Sequence, residues 1–505
     1  MRSLPPVIYL LGIICFLSYN GRHASFPLDD AWIHRVYARA FAAGHGFEYN
    51  DGAQEAGATS PLWVIATAPA HWLEPFGRRA VVFGVKGIAI LFGVISILLF
   101  HAVAKHVTKS TATAVVAASL MALEPRLLFS SLSGMETPLL IALWMGGIYA
   151  FLKKKWLLAA VLFGLTPVTR PESLVLLPIC AAAGVVYAAG YPLWKKGLAS
   201  LILALPFLLW AVFCKHTTGH WLPNTHYLKS HPFQLTPKAL ADAWQVVSSD
   251  GFASLFIFLV GVIVCALYLI GRRDVPTFGL MIVGPLVYLL GVAGTRQIFT
   301  EGYYWTRWFD PGSLLLTAAF ALGYSVLLTG RFELSRLGAS AARRVRVVVV
   351  AAAAVGLLVC VPAFTGSFKD RRGHLITDSR AIDRINVEAG LWINEHTPPG
   401  ATIGVNDAGA IRYFGNRHTI DLLGLNNQDI AFRRMSSLDA LIRSDWLAIF
   451  PSVFRDQQGL IERYFLPVTV FQIPLEEYTI CNCPGQTTKV IFRKKSLGDA
   501  VRPGS

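Results

Sequence analysis

Phe26-Pro27-Leu28-Asp29-Asp30-Ala31-Trp32-Ile33-His34-Arg35-Val36-Tyr37 places two adjacent carboxylates at the start of an amphipathic helix, just past the first apolar segment of the chain. Trp32, Val36 and Ala40, with Ile33, Tyr37 and Phe41, form one apolar stripe at helical spacing, while His34, Arg35 and Arg39 fall on the opposite face. Such a helix is expected to lie along a membrane interface. Gly44 and Gly46 end it, Asn50-Asp51-Gly52 signals a tight turn, and Thr59-Ser60-Pro61 opens a second short helix through Trp63 and Trp72. The region reads as a structured loop.

The rest of the chain reads as membrane. Of 505 residues, 54% are hydrophobic and only 15% are charged, and the mean hydropathy is +0.51. That is too apolar for a soluble protein of this length. Segments near 4–20, 79–104, 111–131, 137–152, 156–169, 172–190, 198–214, 252–270, 276–293, 311–329 and 346–364 predict about eleven transmembrane helices. The first of them, with Arg2 before Val7–Phe16, also fits a signal-peptide core. The net charge of +15 sits in short clusters between apolar runs: Lys153-Lys154-Lys155, Lys195-Lys196, Arg272-Arg273, and Arg343-Arg344 with Arg346. Putting these clusters in the cytoplasm makes the segments alternate without contradiction. The reading is a multi-pass inner-membrane protein with a cytoplasmic N-terminus. Nucleic acid is excluded as a partner, because no basic stretch is interleaved with exposed aromatics.

On this topology the outer face carries the loop 21–78, turns at Gly134 and Arg170, loops at 215–251 and 294–310, and everything after 365. The inner face has only short basic connectors, so function is expected outside. One Asp before a helix is explained by capping of free backbone N–H groups. The second is not, since one cap needs one carboxylate, and it is available as a base. Adjacent Asp residues lack the spacing of a DxD pair, so no metal is assigned, and a divalent cation is left open. Of seven cysteines, Cys15, Cys180, Cys214, Cys265 and Cys360 lie in apolar runs. Cys481-Asn482-Cys483 is too closely spaced to bridge well or to build a zinc site.

A family resemblance rests on an ordered set of motifs. Leu28-Asp29-Asp30-Ala31 through Tyr37-Ala38-Arg39, Gly44-His45-Gly46-Phe47-Glu48-Tyr49-Asn50 and Gly57-Ala58-Thr59-Ser60-Pro61-Leu62-Trp63 make up the first. Ser133-Gly134-Met135-Glu136-Thr137, Arg170-Pro171-Glu172, Leu222-Pro223-Asn224-Thr225-His226-Tyr227-Leu228-Lys229 and Gly404-Val405-Asn406-Asp407-Ala408-Gly409-Ala410-Ile411 follow. Together they resemble GT-C glycosyltransferases that use polyprenyl-phosphate sugars, closest to the AftB-like arabinofuranosyltransferase branch. The likeness implies a GT-C-like fold, a polyprenyl-phosphate-linked sugar donor, and one of Asp29 and Asp30 as catalytic base, with Asp29 favoured and Asp30 as cap or sugar ligand. It also implies a cell-envelope glycan, lipid or protein as acceptor, and a single displacement would invert the anomeric carbon. A lipid phosphate is already a good leaving group, so the chemistry needs a base and cations and no obligatory acid. Arg170, Lys229, His226 and Arg307 are the candidate phosphate partners, and Glu136, Glu172 and Asn224 the candidate sugar contacts. Each has a plainer reading: snorkelling or interface anchoring for the arginines, solvation for Lys229 and His226, and helix-dipole decoration for the glutamates. The alternative function is transport or flipping of a lipid-linked sugar. It predicts ionisable residues or broken helices at mid-membrane and internal symmetry, and the sequence offers neither.

The chain is expected to divide into a transmembrane module, 1–364, and an extracytoplasmic α/β domain, 365–505. In the second, residues 386–396 form a helix stopped by Thr397-Pro398-Pro399-Gly400. Thr402–Val405, Ala408–Phe414, Thr419–Leu423, Leu438–Arg443, Trp446–Phe450, Gln458–Tyr464 and Val468–Ile473 then alternate strand with helix. Gly404–Gly409 lacks the glycines of a nucleotide loop and reads as a tight strand-to-helix connection. The domain is expected to hold an acceptor or cover the active site.

Overall fold

The computed structural model describes residues 3–17, 25–187, 190, 192–248, 255–295, 303–332, 338–481 and 485–496. Arg2, Cys483 and part of the 294–310 loop lie outside them. Over the described residues each of the eleven apolar segments is mainly helical. Arg78–Thr108, Leu193–Thr218, Val275–Thr295, Asp310–Leu328 and the helix Ala339–His396 are long and apolar enough to cross a membrane. Thr111–Ala122 and Pro125–Leu132 form one further span bent by 56°. The bend has a local cause: Glu124, forced to extended backbone by Pro125, caps the second half through Arg126 N–H. Leu4–Leu17, Thr137–Leu152, Trp156–Thr169, Pro171–Val185 and Phe256–Gly271 are shorter apolar helices. The protein is a multi-pass helical membrane protein.

The expected boundary at 364/365 falls inside a helix. Ala339–His396 runs on without a stop, so the predicted helix 386–396 is its last part. Pro362 lies within it, and residues Asp383–Val387 are a π-helical segment.

The first loop is as structured as expected. The helix Asp29–Ala42 is followed by a hairpin of β1 (Glu48–Asn50) and β2 (Ala53–Gln54), closed by Gly52 at φ +87°. The helix Pro61–Thr67 and a 3₁₀ stretch to Phe76 come next. The Asp29 helix does not lie along an interface, however. Trp32, Val36 and Tyr37 of its apolar face are buried, and so are His34 and Arg35 on the supposed polar face. The reason is the C-terminal domain, which sits on top: Trp32 packs 5.2 Å from Tyr413 and 4.8 Å from Phe414 between ring centroids. Arg39 lies 4.4 Å over the Tyr413 ring. Burying aromatics of this size contributes roughly 1.5–3 kcal/mol each.

That domain is a five-stranded mixed sheet, β3 (Thr402–Val405), β4 (His418–Asp421), β5 (Trp446–Ile449), β6 (Phe465–Gln472) and β7 (Thr488–Lys494), ordered β4-β3-β5-β7-β6. β3 pairs in parallel with β4 and β5, whereas β7 runs antiparallel to β5 and β6. Six of the seven predicted tail elements recur within about two residues, and the seventh, Val468–Ile473, recurs as β6, which starts three residues earlier at Phe465. Strand β7 was not anticipated, although Thr488-Lys489-Val490-Ile491-Phe492 carries the β-branched and aromatic residues that favour strands. Cys481 is disulfide-bonded, and the expectation for the Cys481-Asn482-Cys483 pair lies partly outside the described residues.

Candidate active site

The twin carboxylates part company at the first turn of their helix. Leu28 is the N-cap residue, and neither Asp caps that helix with its side chain. Asp29 points at the C-terminal domain. Its carboxylate accepts hydrogen bonds from Gly409 N–H at 2.7 Å, Ala410 N–H at 2.9 Å and Asn386 Nδ2 at 3.0 Å. It thus satisfies the free donors at the start of the helix Ala410–Gly415, which belongs to the other domain. Behind it, buried Lys489 donates to Asn386 Oδ1 and to Asp407, both at 2.6 Å. Burial, and next the charge of Asp407, push the Asp29 carboxyl up to about 7.

Gly409 is needed for this docking. A Cβ there would come 2.8 Å from Asp29 Oδ2 and would also meet the Asp29 carbonyl. Gly409→Val is therefore expected to lower stability by about 2–4 kcal/mol through overpacking and lost hydrogen bonds. Thermal unfolding in detergent measures it, with Gly400→Ala as control because nothing lies within 4 Å of Gly400. An unchanged transition for Gly409→Val rules out the docking role.

Asp30 points the other way, into a cleft it shares with His34, Glu136, Arg170, His226, Lys229 and Arg307. Four distant pieces of chain meet there. Glu136 is placed by the turn at Gly134, whose φ of +79° favours glycine and whose carbonyl accepts from Trp63 Nε1 at 2.9 Å. Arg170 is held in extended backbone by Pro171. The short helix Asn224–Lys229 brings His226 and Lys229. Arg307 follows the short helix Tyr303–Thr306 and stacks 4.4 Å over Tyr304 and 5.3 Å over Trp308.

Arg307 is ion-paired with Asp30. Burial by itself raises the Asp30 carboxyl, but the opposing charges of Arg307 and then Lys229 bring it down to about 2. Arg170 is less available than the sequence reading assumed. It donates to Glu136 Oε1 at 2.6 Å and to the Arg307 carbonyl at 3.2 Å, and its Nε lies 3.5 Å from Glu172. Glu136 and Glu172 thus both hold the Arg170 guanidinium. Burial raises the Glu136 carboxyl and Arg170 opposes that. Lys229 donates to the Tyr304 hydroxyl at 3.2 Å, and His226 Nδ1 lies 3.3 Å from Ser230.

Asn224 does not line the cleft. It is buried and donates to Glu55 Oε1 at 2.8 Å, tying the loop after Thr218 to the first loop. The sequence reading missed three contributors. His34, four residues after Asp30, falls on the face opposite the apolar stripe but is buried 3.7 Å from Glu136, and burial with Arg35 nearby depresses its pKa to about 3, leaving a neutral imidazole. Its i+4 spacing from Asp30 was the available signal. Leu425 and Asn426 roof the cleft from the C-terminal domain, and Asn426 accepts from the Tyr37 hydroxyl at 3.0 Å; nothing local marks them.

A second cavity of about 240 Å³ lies between the helical module and the C-terminal domain, lined by Asn406, Asp407, Phe450, Tyr478 and Gln486. Asp30, Ile33 and Leu425 line both spaces. Asp30 stands where they meet. Among the described residues no three His, Cys, Asp or Glu side chains are grouped to hold a metal. Arg307 already supplies the positive charge beside Asp30.

Comparison with known proteins follows this geometry. Residues 378–490 match a family model described as a domain of unknown function, DUF8728. It covers the C-terminal domain and does not reach the helix bundle before residue 378. No curated protein matches the chain. Solved structures match along nearly its whole length. ArnT from Cupriavidus metallidurans bound to undecaprenyl phosphate is 11% identical over 97% of both chains, with a TM-score of 0.52. Archaeoglobus fulgidus AglB, an archaeal oligosaccharyltransferase in complex with an inhibitory peptide and a dolichol-phosphate, is 14% identical over 99% of this chain and 74% of that one, with a TM-score of 0.54. The same organism's oligosaccharyltransferase tethered to an acceptor peptide gives 14% identity over 92% and 72%, with a TM-score of 0.55. The chain has a GT-C-like fold.

Proposed function

We propose that the protein is a membrane glycosyltransferase that moves a sugar from a polyprenyl-phosphate donor to an acceptor hydroxyl, with Asp30, not Asp29, as the base. The observation that carries this reading is the position of Asp30 between two cavities, one ringed by cations and one walled by the C-terminal domain. The donor phosphate lies against Arg307, Lys229 and His226, with Arg170 held behind them by its glutamates. Neutral His34 and the Glu136 edge face the sugar. The acceptor approaches from the second cavity, where Asp407, Asn406 and Tyr478 offer polar contacts. ArnT with undecaprenyl phosphate and AglB with dolichol-phosphate and peptide support a donor and acceptor of these classes on this fold.

The step is one displacement. The acceptor oxygen bonds to the anomeric carbon, the bond from that carbon to the phosphate oxygen breaks, Asp30 takes the hydroxyl proton, and polyprenyl phosphate leaves as an anion. Arg307 links binding to chemistry. Paired with it, Asp30 is a weak base; a donor phosphate that draws Arg307 away leaves a buried carboxylate whose basicity rises. Asp29 serves as a positioning residue that seats the C-terminal domain. The finer reading is a pentofuranosyl donor, from the likeness of the first-loop motifs to the arabinofuranosyltransferase branch, acting on the extracytoplasmic face of the inner membrane.

Protein purified in mild detergent and analysed by mass spectrometry is expected to retain polyprenyl-phosphate sugar. On incubation with an envelope extract it should release polyprenyl phosphate and lose the sugar. Failure to bind or consume any of a panel of arabinosyl, mannosyl and glucosyl polyprenyl phosphates overturns the proposal.

A further inference from the structure

One groove in the molecule lies far from Asp30. It runs for about 430 Å³ between the helices Trp156–Gly164, Leu177–Tyr187 and Leu193–Thr218. The helix Thr137–Leu152 starts next to Glu136 in the candidate active site and ends at Lys153. At about 1.5 Å per residue, its sixteen residues put the groove's mouth roughly 24 Å away, at the opposite end of the bundle. The helix Leu193–Thr218 makes the same crossing in reverse, from Lys195 and Lys196 to the loop that carries His226 and Lys229.

The groove is polarised along its length. Its mouth carries Lys154, Lys155, Lys195 and Lys196, and among the described residues no Asp or Glu lines it. Two helices begin at this mouth, at Trp156 and Leu193, neither with a side-chain cap nor an acid in its first turn. Their N-termini add positive potential beside the lysines. Further in, the walls are Ala160, Phe163, Cys180 and Leu203, all buried. The flanks are apolar and open: Leu157 is 45% exposed, Trp194 65% and Val185 63%. Trp194, with Lys195 5.3 Å over its ring, is the aromatic and cation pair that sits at a membrane's headgroup level. A soluble anion would use the lysines and leave the apolar slot unused. A molecule with a phosphate head and an acyl chain uses both.

We infer that this groove binds an anionic phospholipid, its phosphate on the four lysines and one acyl chain between the three helices. The site is independent of the glycosyl-transfer reading and lies in the opposite leaflet from Asp30. Charge complementarity chooses the occupant: a zwitterionic lipid gains little from four lysines without a carboxylate among them, while a net negative head gains from each.

The test uses the full chain, delipidated and then reconstituted in nanodiscs of phosphatidylcholine with or without phosphatidylglycerol. Native mass spectrometry after release is expected to show phosphatidylglycerol retained on the order of tenfold over phosphatidylcholine. Lys154→Gln/Lys155→Gln/Lys195→Gln/Lys196→Gln should abolish that preference. An equal charge change elsewhere, Arg273→Gln/Arg343→Gln/Arg344→Gln/Arg346→Gln, should leave it intact. Ala199→Trp, which fills the slot and leaves every charge in place, should reduce retention as well and stands in if the quadruple variant fails to fold. Equal retention of the two lipids by the wild type, the same loss from the control quartet, full retention by Ala199→Trp, or displacement by millimolar inorganic phosphate would each overturn the inference.

Discussion

Asp30→Asn is expected to cut sugar transfer by about 10³-fold while the protein folds and binds donor as before, because general-base catalysis by a positioned side chain contributes roughly 10²–10⁴-fold. The substitution keeps the shape and removes the proton acceptor. It also removes the partner of Arg307, which frees that guanidinium for phosphate, so donor affinity should hold or tighten. Asp29→Asn should behave differently. Its loss falls on the hydrogen bonds to Gly409, Ala410 and Asn386, so the thermal transition drops and rate declines only as far as the domain comes loose. Steady-state rates, donor binding and melting measured together on both variants distinguish the roles. Full activity in Asp30→Asn, or a catalytic collapse in a stable Asp29→Asn, sinks the assignment of Asp30.

Arg307→Gln should lower kcat/KM by about 10²-fold, the usual scale for one lost donor at a developing anion. It should also move the pH profile in a defined direction. In the native site Asp30 is held at about 2 against burial by Arg307 and Lys229, so it stays ionised throughout the working range and contributes no acid limb there. Removing Arg307 takes away the larger of the two charges while burial remains. The folded pKa of Asp30 then rises, the base becomes protonated at mildly acid pH, and an acid limb in kcat/KM shifts upward toward neutrality. Arg307→Lys keeps a charge without the fork and should fall between. A profile with the same acid limb as wild type would show that the ion pair does not govern the base.

Glu136 and Arg170 illustrate how far local reading reaches. Each was legible as polar residues at turns between apolar helices, since a charge beside a span must face protein or headgroup. Their mutual bridge at 2.6 Å was not, because the turns are 34 residues apart and meet only through the packing of the helices between them. Asn224 fails for the same reason: its amide is taken by Glu55, on a loop 169 residues away. His34 was misplaced because helical periodicity separates two faces but does not say that a second layer will cover the polar one.

Composition and periodicity alone determined that this chain is a multi-pass helical protein with an ordered acidic loop and an α/β tail, since apolar length and the 3.6- and 2-residue repeats are local properties. Which carboxylate could act was decided only by tertiary structure. Two neighbours on a helix point about 100° apart, and it took the C-terminal domain, descending on one side, to claim Asp29 for docking and leave Asp30 facing the cations gathered from three other parts of the chain.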